Sequence, residues 1–367
     1  MDNNTIYKIG ITLIPGIGDV LAKNLISYCG SVEAVFKEKK AKLMKVPGIG
    51  ETLADIISKQ KVLSRAEEEI KFIERYKITP LFFLDKNYPK RLSHCADSPV
   101  MLYYKGNADL NHPRIISVIG TRDATNYGKD TCEKFIAELS ELDVLVVSGL
   151  AYGIDICAHK AAVKNNISTI GVMAHGLDRL YPSAHRSTAE KMVKHGGLLT
   201  DFMSQTNPDA ENFPKRNRIV AGMCDAVVVI ESKKGGGSLI TTDIANSYNR
   251  DVFAFPGRIN DENSEGCNNL IKSHKAALIQ SANDLVYVMG WQKDEKKKSA
   301  SKQQKLLIDL NPEEEVIVNL LQNKEGVAID ELCFNSKMSV SKISSVLLTL
   351  ELQGVVKSLP GKAYKLN

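Results

Sequence analysis

Short apolar runs rich in β-branched residues recur through the middle of the chain, and stretches with helical spacing separate them. Almost every residue in each run is apolar, which is typical of parallel strands covered on both faces. Alternation of strand and helix over this length predicts an α/β fold with an open, doubly wound, Rossmann-like sheet. The predicted strands are residues 115–119, 144–147, 169–173, 198–201, 226–230 and 252–255.

The N-terminal segment, residues 1–75, has a helical pattern and carries the unit Pro-Gly-Ile-Gly-x-x-x-Ala twice, from residues 15 and 47. This internal repeat predicts a tandem helix-hairpin-helix domain. Where a glycine precedes a helix, the free backbone amides of the first turn can bind a DNA phosphate without recognising the base sequence. Such tandem motifs also serve as structural or protein-binding modules. The candidate backbone contacts are Gly16, Gly18, Gly48 and Gly50.

The C-terminal segment, residues 311–367, has three helical stretches at 313–322, 328–332 and 340–353, then two strands at 355–359 and 363–366. This order is the outline of a winged-helix domain. Its third helix carries Lys342 as its one cation, which favours protein interaction or weak DNA contact. Residues 291–310 are rich in lysine and lack apolar periodicity, so they are predicted to be a linker after a core at residues 76–290.

Composition argues against a membrane protein, a secreted disulfide-rich protein and a zinc protein, but it does not identify the ligand. No apolar run is long enough to span a bilayer, and residues 1–4 lack the features of a signal peptide, so a cytoplasmic location without membrane contact is expected. Seven scattered cysteines with no C-x-x-C indicate neither a disulfide framework nor a zinc site, and no metal or cofactor is expected. A net charge of +5 permits a nucleic-acid partner but does not establish one.

Four glycine-rich or basic loops each follow a predicted strand, on the edge where open α/β sheets bind ligands. Glycine permits close backbone approach, and an arginine fork suits phosphate oxygens. Lys215 and Arg218 share a helical face, whereas Arg216 points elsewhere. Together the loops predict a phosphate-bearing ligand, either a nucleotide or a polymer. Their candidate binding residues are Gly120, Thr121, Arg122, Gly149, Tyr152, Gly153, Phe213, Lys215, Arg216, Asn217, Arg218, Gly236, Gly237 and Ser238.

The four loops and the segment at residues 176–182 contain a series of motifs that resembles that of the DNA-processing protein A (DprA/Smf) family. The motifs are V-I-G-T-R, S-G-x-A-x-G-I-D-x-x-A-H, G-L-D-x-x-Y-P, F-P-x-R-N-R-I-V-A-G and G-S-L-I-T. The resemblance covers residues 81–288. It implies an extended Rossmann fold that binds single-stranded DNA in a basic pocket and forms a homodimer through this core. It also implies delivery of that strand to the RecA recombinase, past single-strand-binding protein, in natural transformation.

The same resemblance carries DNA binding over to Arg122, Lys215, Arg216 and Arg218. Three positions depart from the pattern of the family, and the first of them, Thr121, replaces the usual serine. Tyr152 stands where an arginine is common, and it replaces a charge with a surface on which a base can stack. Ser183 stands where a basic residue is common, and nearby Arg179 or Arg186 is expected to compensate.

Three enzymatic alternatives are weaker than a non-catalytic function. A phosphoribohydrolase-like nucleotide hydrolase has a glutamate soon after its glycine-rich loop, whereas Asp243 is the nearest acid here. A nuclease motif of the E-x-K type, at Glu231 and Lys233, lacks a partner aspartate. Asp155 and His159 lie four residues apart on one helix, as an acid/base pair could. The pattern favours a structural role instead, with Asp155 near the helix start and His159 packed beneath the sheet.

Overall fold

The computed structural model describes residues 4–291, 310–322, 326–359 and 363–366. The chain divides into two compact units, Met1–Asp294 and Glu295–Asn367. Nearly all of the predicted linker falls outside the described residues. No helix in the described ranges is both long enough and apolar enough to cross a membrane.

A nine-stranded sheet forms the centre of the first unit. All six predicted strands are confirmed, with bounds that differ by no more than one residue. In chain order the strands are β1 (Thr79–Phe82), β2 (Met101–Gly106), β3 (Ile115–Ile119), β4 (Leu145–Ser148), β5 (Thr169–Val172), β6 (Gly197–Thr200), β7 (Ala226–Val229), β8 (Asp251–Ala254) and β9 (Ala277–Leu278).

The strands lie in the order β1-β2-β6-β5-β4-β3-β7-β8-β9. The block from β6 to β9 is parallel, whereas β2 pairs antiparallel with both β1 and β6. The sequence pattern missed β1, β2 and β9. Pro80 lies inside β1, which is tolerated because β1 is an edge strand, and β9 has two residues and therefore no detectable period.

Helices cover both faces of the sheet, as the apolar strands predict. On β3 the side chains alternate between two hydrophobic clusters, one containing Ile115 and Ile119 and the other Ile116 and Val118. The helices that follow β1 are α7 (Lys90–Ser93), α8 (Asn126–Glu138), α9 (Ile154–Lys164), α10 (Arg186–His195), α11 (Asn212–Gly222), α12 (Gly237–Ser247), α13 (Glu265–Lys272) and α14 (Ala282–Val288).

Six α-helices precede β1 in the described residues, and they form the predicted tandem helix-hairpin-helix. Gly16 and Gly48 have φ of +78° and +86°, so each repeat turns through a conformation that favours glycine. A Cβ on Gly16 would lie 2.8 Å from Leu53, and one on Gly48 would lie 2.7 Å from Leu21, so each turn packs on the other repeat. The helices are α1 (Thr5–Gly10), α2 (Asp19–Cys29), α3 (Val32–Lys37), α4 (Lys40–Leu43), α5 (Glu51–Lys59) and α6 (Leu63–Tyr76).

The N-terminal helices share a hydrophobic core with the sheet, because buried residues of α1 to α6 pack with Met101 and Tyr103 of β2. A buried polar contact reinforces this packing. The Glu69 carboxylate, 1% exposed, accepts a hydrogen bond from the Ser204 amide at 3.0 Å. Arg65 donates both to Glu69, at 2.9 Å, and to the Ser204 carbonyl, at 2.7 Å. The tandem repeat is therefore an integral part of the first unit.

The second unit has the predicted winged-helix fold. Its elements are α15 (Pro312–Leu321), β10 (Val327–Ala328), α16 (Ile329–Ser336), α17 (Val340–Leu352), β11 (Val356–Leu359) and β12 (Ala363–Leu366), with sheet order β10-β12-β11. Asn311 and Glu314 form a capping box at the start of α15. Lys342, the cation of the third predicted helix, forms an ion pair with Glu313, so its charge is compensated within the domain.

Candidate nucleic-acid interface

The carboxyl ends of β3 and β7 lie side by side at the point where the strand order reverses. From β3 the chain proceeds towards β4, and from β7 it proceeds towards β8 on the other side. Doubly wound sheets bind their ligands in the crevice at such a point. A cavity of about 400 Å³ opens there, hereafter the switch-point cavity. The predicted site residues that line it are Gly120, Thr121, Arg122, Gly149, Phe213, Arg216, Asn217, Gly236, Gly237 and Ser238.

Backbone contacts hold the loop after β3 in place. The Thr121 amide donates to the Glu231 carbonyl at 2.8 Å, and the Ile154 amide donates to the Thr121 carbonyl at 3.1 Å. Gly153 has φ of +77°, and a Cβ there would lie 2.1 Å from the Thr121 carbonyl oxygen. Only glycine permits this approach, so the second predicted loop fixes the position of the first.

The floor of the cavity contains two buried charged residues, Arg216 and Asp155. Arg216 is 4% exposed and donates to the carbonyls of Gly149, at 2.6 Å, and Val172. Asp155 accepts from the Gly149 amide at 3.1 Å. Burial lowers the pKa of Arg216 to about 10, although Asp155 opposes that shift, so the guanidinium remains charged at neutral pH. Arg216 therefore ties β4 and β5 together and puts positive charge beneath the cavity.

Arg122 provides the exposed positive charge of the cavity. Its guanidinium carbon lies 5.0 Å from the centre of the Phe213 ring, a cation–π contact that leaves its donors available. Within the described ranges no carboxylate forms an ion pair with Arg122. Because no carboxylate of the described residues neutralises this charge, an anionic ligand would be its strongest partner.

The start of α12 contributes backbone donors. Gly236 precedes this helix without a side-chain cap, and the amides of Gly237 and Ser238 belong to its first turn, where amides lack intrahelical acceptors. The Ser238 hydroxyl is 2.8 Å from that of Ser232, which holds the loop against the strand end. The positive end of the helix dipole adds to the attraction for an anion.

Three predicted cations lie outside the lining of the switch-point cavity. Lys215 is exposed on α11 and lies 3.7 Å from Glu211. Arg179 is 2.8 Å from Asp178 and also contacts Asn207. Arg218 lies at the contact with the N-terminal helices.

Arg218 forms ion pairs with Asp19 at 2.9 Å and Asp201 at 2.8 Å, and it donates to the Asp97 carbonyl. Burial alone would lower its pKa, but the two carboxylates raise that pKa above its usual value. The sequence grouped Arg218 with Lys215 as a phosphate ligand, because Asp19 and Asp201 are distant along the chain and gave no local sign of this contact.

Replacing Asp19 by alanine is expected to lower the free energy of unfolding by about 2 kcal/mol. The Asp19 carboxylate accepts from both Arg218 and the Val100 amide, at 2.9 and 2.7 Å, and both donors are at the domain contact. Glu51 provides a matched control from the second repeat, since its pair with Lys40 is on the surface. Glu51→Ala should cost less than about 1 kcal/mol. Equal losses in chemical denaturation would show that Arg218 does not couple the N-terminal helices to the core.

The glycines of the two hairpins lie at the starts of α2 and α5. Gly18 and Gly50 precede these helices and are exposed. An acidic residue follows each of them, Asp19 and Glu51 respectively. Carboxylates at these positions already occupy the positive end of each helix.

Sequence reasoning missed Tyr181, Pro182 and His175, which line a second cleft beside the switch-point cavity together with Tyr152 and Phe213. The sequence did contain a signal, since Tyr181 and Pro182 belong to the G-L-D-x-x-Y-P motif. Tyr181 and Phe213 are separated by more than thirty residues in the chain, yet their ring centres are 6.1 Å apart.

The acids weighed for catalysis have other contacts. Glu231, 1% exposed, accepts from the Thr125 amide at 2.9 Å, and Asp243 pairs with Lys275 at 2.8 Å. His159 is fully buried, where its Nδ1 donates to the Thr169 hydroxyl at 2.7 Å. Among the described residues no cluster of three or more His, Cys, Asp or Glu is arranged to hold a metal ion.

Family models match three parts of the chain. The model described as DNA recombination-mediator protein A covers residues 79–290, more than half of the chain. The DprA winged-helix domain matches residues 301–362, and the SAM-like helix-hairpin-helix tandem matches residues 10–59. These matches agree with the three folded parts predicted from the sequence.

Protein Smf of Synechocystis is 31% identical, with 98% of each chain covered. DNA processing protein DprA of Streptococcus pneumoniae is 41% identical over 58% of this chain and 75% of its own. A crystal structure of the S. pneumoniae protein has a TM-score of 0.64 at 33% identity, covering 77% of this chain and 97% of that one.

A structure of DNA processing protein A from Helicobacter pylori, determined for its single-stranded DNA binding mode, has a TM-score of 0.53 at 27% identity. It covers 58% of this chain and 95% of that one. Family models, relatives and fold agree with one another, and the chain belongs to the DNA recombination-mediator protein A (DprA/Smf) family.

Proposed function

We propose that this protein binds single-stranded DNA without catalysing a reaction on it, and that phosphates of the strand occupy the switch-point cavity. The observation that carries the proposal is the exposed Arg122, which forms no ion pair with a carboxylate of the described residues. It lies beside the start of α12, which has no side-chain cap, and above the buried charge of Arg216. Phosphates carry no sequence information, so the binding should show little sequence preference. The H. pylori relative, studied for its single-stranded DNA binding, supports this ligand.

The contribution of the other predicted residues follows from their positions. Lys215 is exposed on the same helix as Arg216, and we assign it to a neighbouring phosphate. Phosphate contact by Gly16, Gly18, Gly48 and Gly50 stays a prediction. The acids that follow Gly18 and Gly50 compete with a phosphate for the same helix starts, and this weighs against such contact.

We further propose that the bound strand passes to the RecA recombinase in the cytoplasm, past single-strand-binding protein, during natural transformation and recombination. The membership in a recombination-mediator family supports this role. A homodimer formed through the core would hold one strand at two cavities and so raise the avidity. The direct tests are the rate of RecA filament formation on a strand covered by single-strand-binding protein, and the mass of this protein in solution.

Arg122→Ala is expected to weaken binding of a fluorescent, sequence-scrambled single strand by roughly 10- to 100-fold, the value of one charge-assisted hydrogen bond. The log–log dependence on salt should become shallower by about 0.7, because one fewer phosphate is neutralised. Arg75 of α6 serves as a control that removes the same charge from an exposed site, and Arg75→Ala should leave both quantities near those of the wild type.

Each outcome of this titration has a distinct meaning. If the wild type binds the strand but Arg122→Ala behaves like Arg75→Ala, the DNA site lies elsewhere on the protein. If the wild type does not bind at low salt, the single-strand proposal fails, and nucleoside monophosphates become the ligands to examine next.

A further inference from the structure

A cleft with three aromatic side chains adjoins the switch-point cavity, hereafter the aromatic cleft. Its rings are Tyr152, Tyr181 and Phe213, and it shares Arg122 and Phe213 with the cavity. Tyr152 and Tyr181 are each 48% exposed. Half-exposed tyrosines are common singly, but a group of rings around one concave site indicates a ligand surface.

The rings are arranged edge to face and do not cover one another. Tyr181 and Phe213 meet at 63° with centres 6.1 Å apart. Tyr152 meets the buried His185 at 72° with centres 5.0 Å apart. In such arrangements a ring presents its edge to its neighbour. Tyr181 remains half-exposed in this arrangement, so part of its surface is accessible to a flat partner.

His175 holds the segment that carries Tyr181. Its Nε2 accepts from the Tyr181 amide at 3.1 Å, and its Nδ1 donates to the Gly176 carbonyl at 2.9 Å. This pair of bonds requires the neutral ring with the proton on Nδ1. His175 is 1% exposed, and burial lowers its pKa, so the neutral form persists at neutral pH. The backbone of Tyr181 is consequently anchored from the interior.

We propose that one unpaired nucleobase, from the strand whose phosphate occupies the switch-point cavity, stacks on Tyr181 at the mouth of the aromatic cleft. In this arrangement Tyr181 is a stacking surface and His175 is the residue that positions it. The proposal rests on the proposed function. A base within a duplex is already stacked and paired, so it must leave the helix to stack on Tyr181. The cleft would therefore distinguish a single strand from a duplex, which the phosphate contacts alone cannot do.

Two probes separate base stacking from phosphate binding in the full-length protein. One is an oligothymidylate, and the other is an abasic strand of the same length and charge. Tyr181→Ala should weaken binding of the oligothymidylate by roughly 5- to 150-fold, the range for loss of one base–aromatic stack, and leave the abasic strand unaffected. Tyr181→Phe keeps the ring and should bind like the wild type. Tyr287, which is 86% exposed on α14, supplies the control Tyr287→Ala.

His175→Ala tests the positioning role. It should weaken oligothymidylate binding in the wild-type background but add nothing in the Tyr181→Ala background, because His175 acts through Tyr181. A 2-aminopurine placed in the strand should lose its quenching in both variants. A general structural defect would instead weaken binding of the abasic strand as well.

The outcomes distinguish this proposal from the one on which it rests. If the wild type binds both probes and Tyr181→Ala leaves the oligothymidylate affinity unchanged, or weakens both probes equally, the base site is overturned and phosphate binding stands. If the wild type binds neither probe, the single-strand proposal is overturned and the base site with it.

Discussion

Replacement of Arg216 by methionine is expected to lower the free energy of unfolding by about 3–5 kcal/mol, the range for breaking a buried charged contact. Methionine keeps an unbranched, apolar stem but lacks the guanidinium and donates no hydrogen bond. The carbonyls of Gly149 and Val172 would lose their buried donor. Burial already raises the pKa of Asp155, and the Arg216 charge counteracts that rise, so the variant would leave a poorly compensated carboxylate. Chemical denaturation near neutral pH measures the loss.

The neighbouring lysine and the buried aspartate provide controls for Arg216. Lys215→Met changes an exposed side chain on the same helix and should alter the stability by no more than about 0.5 kcal/mol. Adding Asp155→Asn to Arg216→Met should recover part of the loss, since it removes the uncompensated charge. If the free energy of unfolding of Arg216→Met lies within about 1 kcal/mol of that of the wild type, the guanidinium does not hold these loops.

Acidification from pH 6.5 to pH 4 is expected to lower the free energy of unfolding by about 3 kcal/mol through His159 alone. Burial lowers the pKa of His159 from 6.5 to about 3. Between these values the unfolded chain binds a proton that the folded chain does not. The contribution of neutral His159 is therefore complete above pH 6.5 and is lost as the pH falls, by about 1.4 kcal/mol per pH unit.

The variant His159→Gln isolates this contribution. It keeps a side-chain amide donor toward the Thr169 hydroxyl and removes the titrating ring. Denaturation curves for the two proteins at several pH values should show a flatter acid dependence for the variant. Asp155 and Asp201, whose pKa values burial raises, titrate in both proteins and cancel in the comparison. Parallel curves would show that His159 gains its proton without cost in the folded state.

The elements and loops of this protein were largely predictable because their signals are local. An almost wholly apolar, β-branched run specifies a strand buried on both faces, and six of the nine strands have this signature. Gly16, Gly48 and Gly153 mark turns with positive φ, a backbone conformation that is strained for other residues. The three missed strands lack a local signature. Strand β1 contains Pro80, β2 is defined by its antiparallel partners, and β9 is two residues long.

The roles of Arg216 and Arg218 were beyond the sequence. Helical periodicity predicts that Arg216 and Arg218, two positions apart on α11, face different directions. It does not state which direction meets the cavity. In the folded chain Arg216 lies beneath the cavity, and Arg218 meets Asp19 and Asp201. The orientation of α11 depends on packing against the sheet and the N-terminal helices, which come from distant parts of the chain.

The sequence by itself determined the family, the three folded parts, the doubly wound sheet and the loops around its switch point. The tertiary structure alone decided which basic side chains reach the cavity, that the N-terminal repeats are part of the core unit, and that Tyr181 and Phe213 share a cleft. The physical reason is the distance along the chain over which each kind of interaction acts. Backbone propensity and side-chain period act over a few residues, whereas a side chain's partners are set by contacts between segments far apart in the chain.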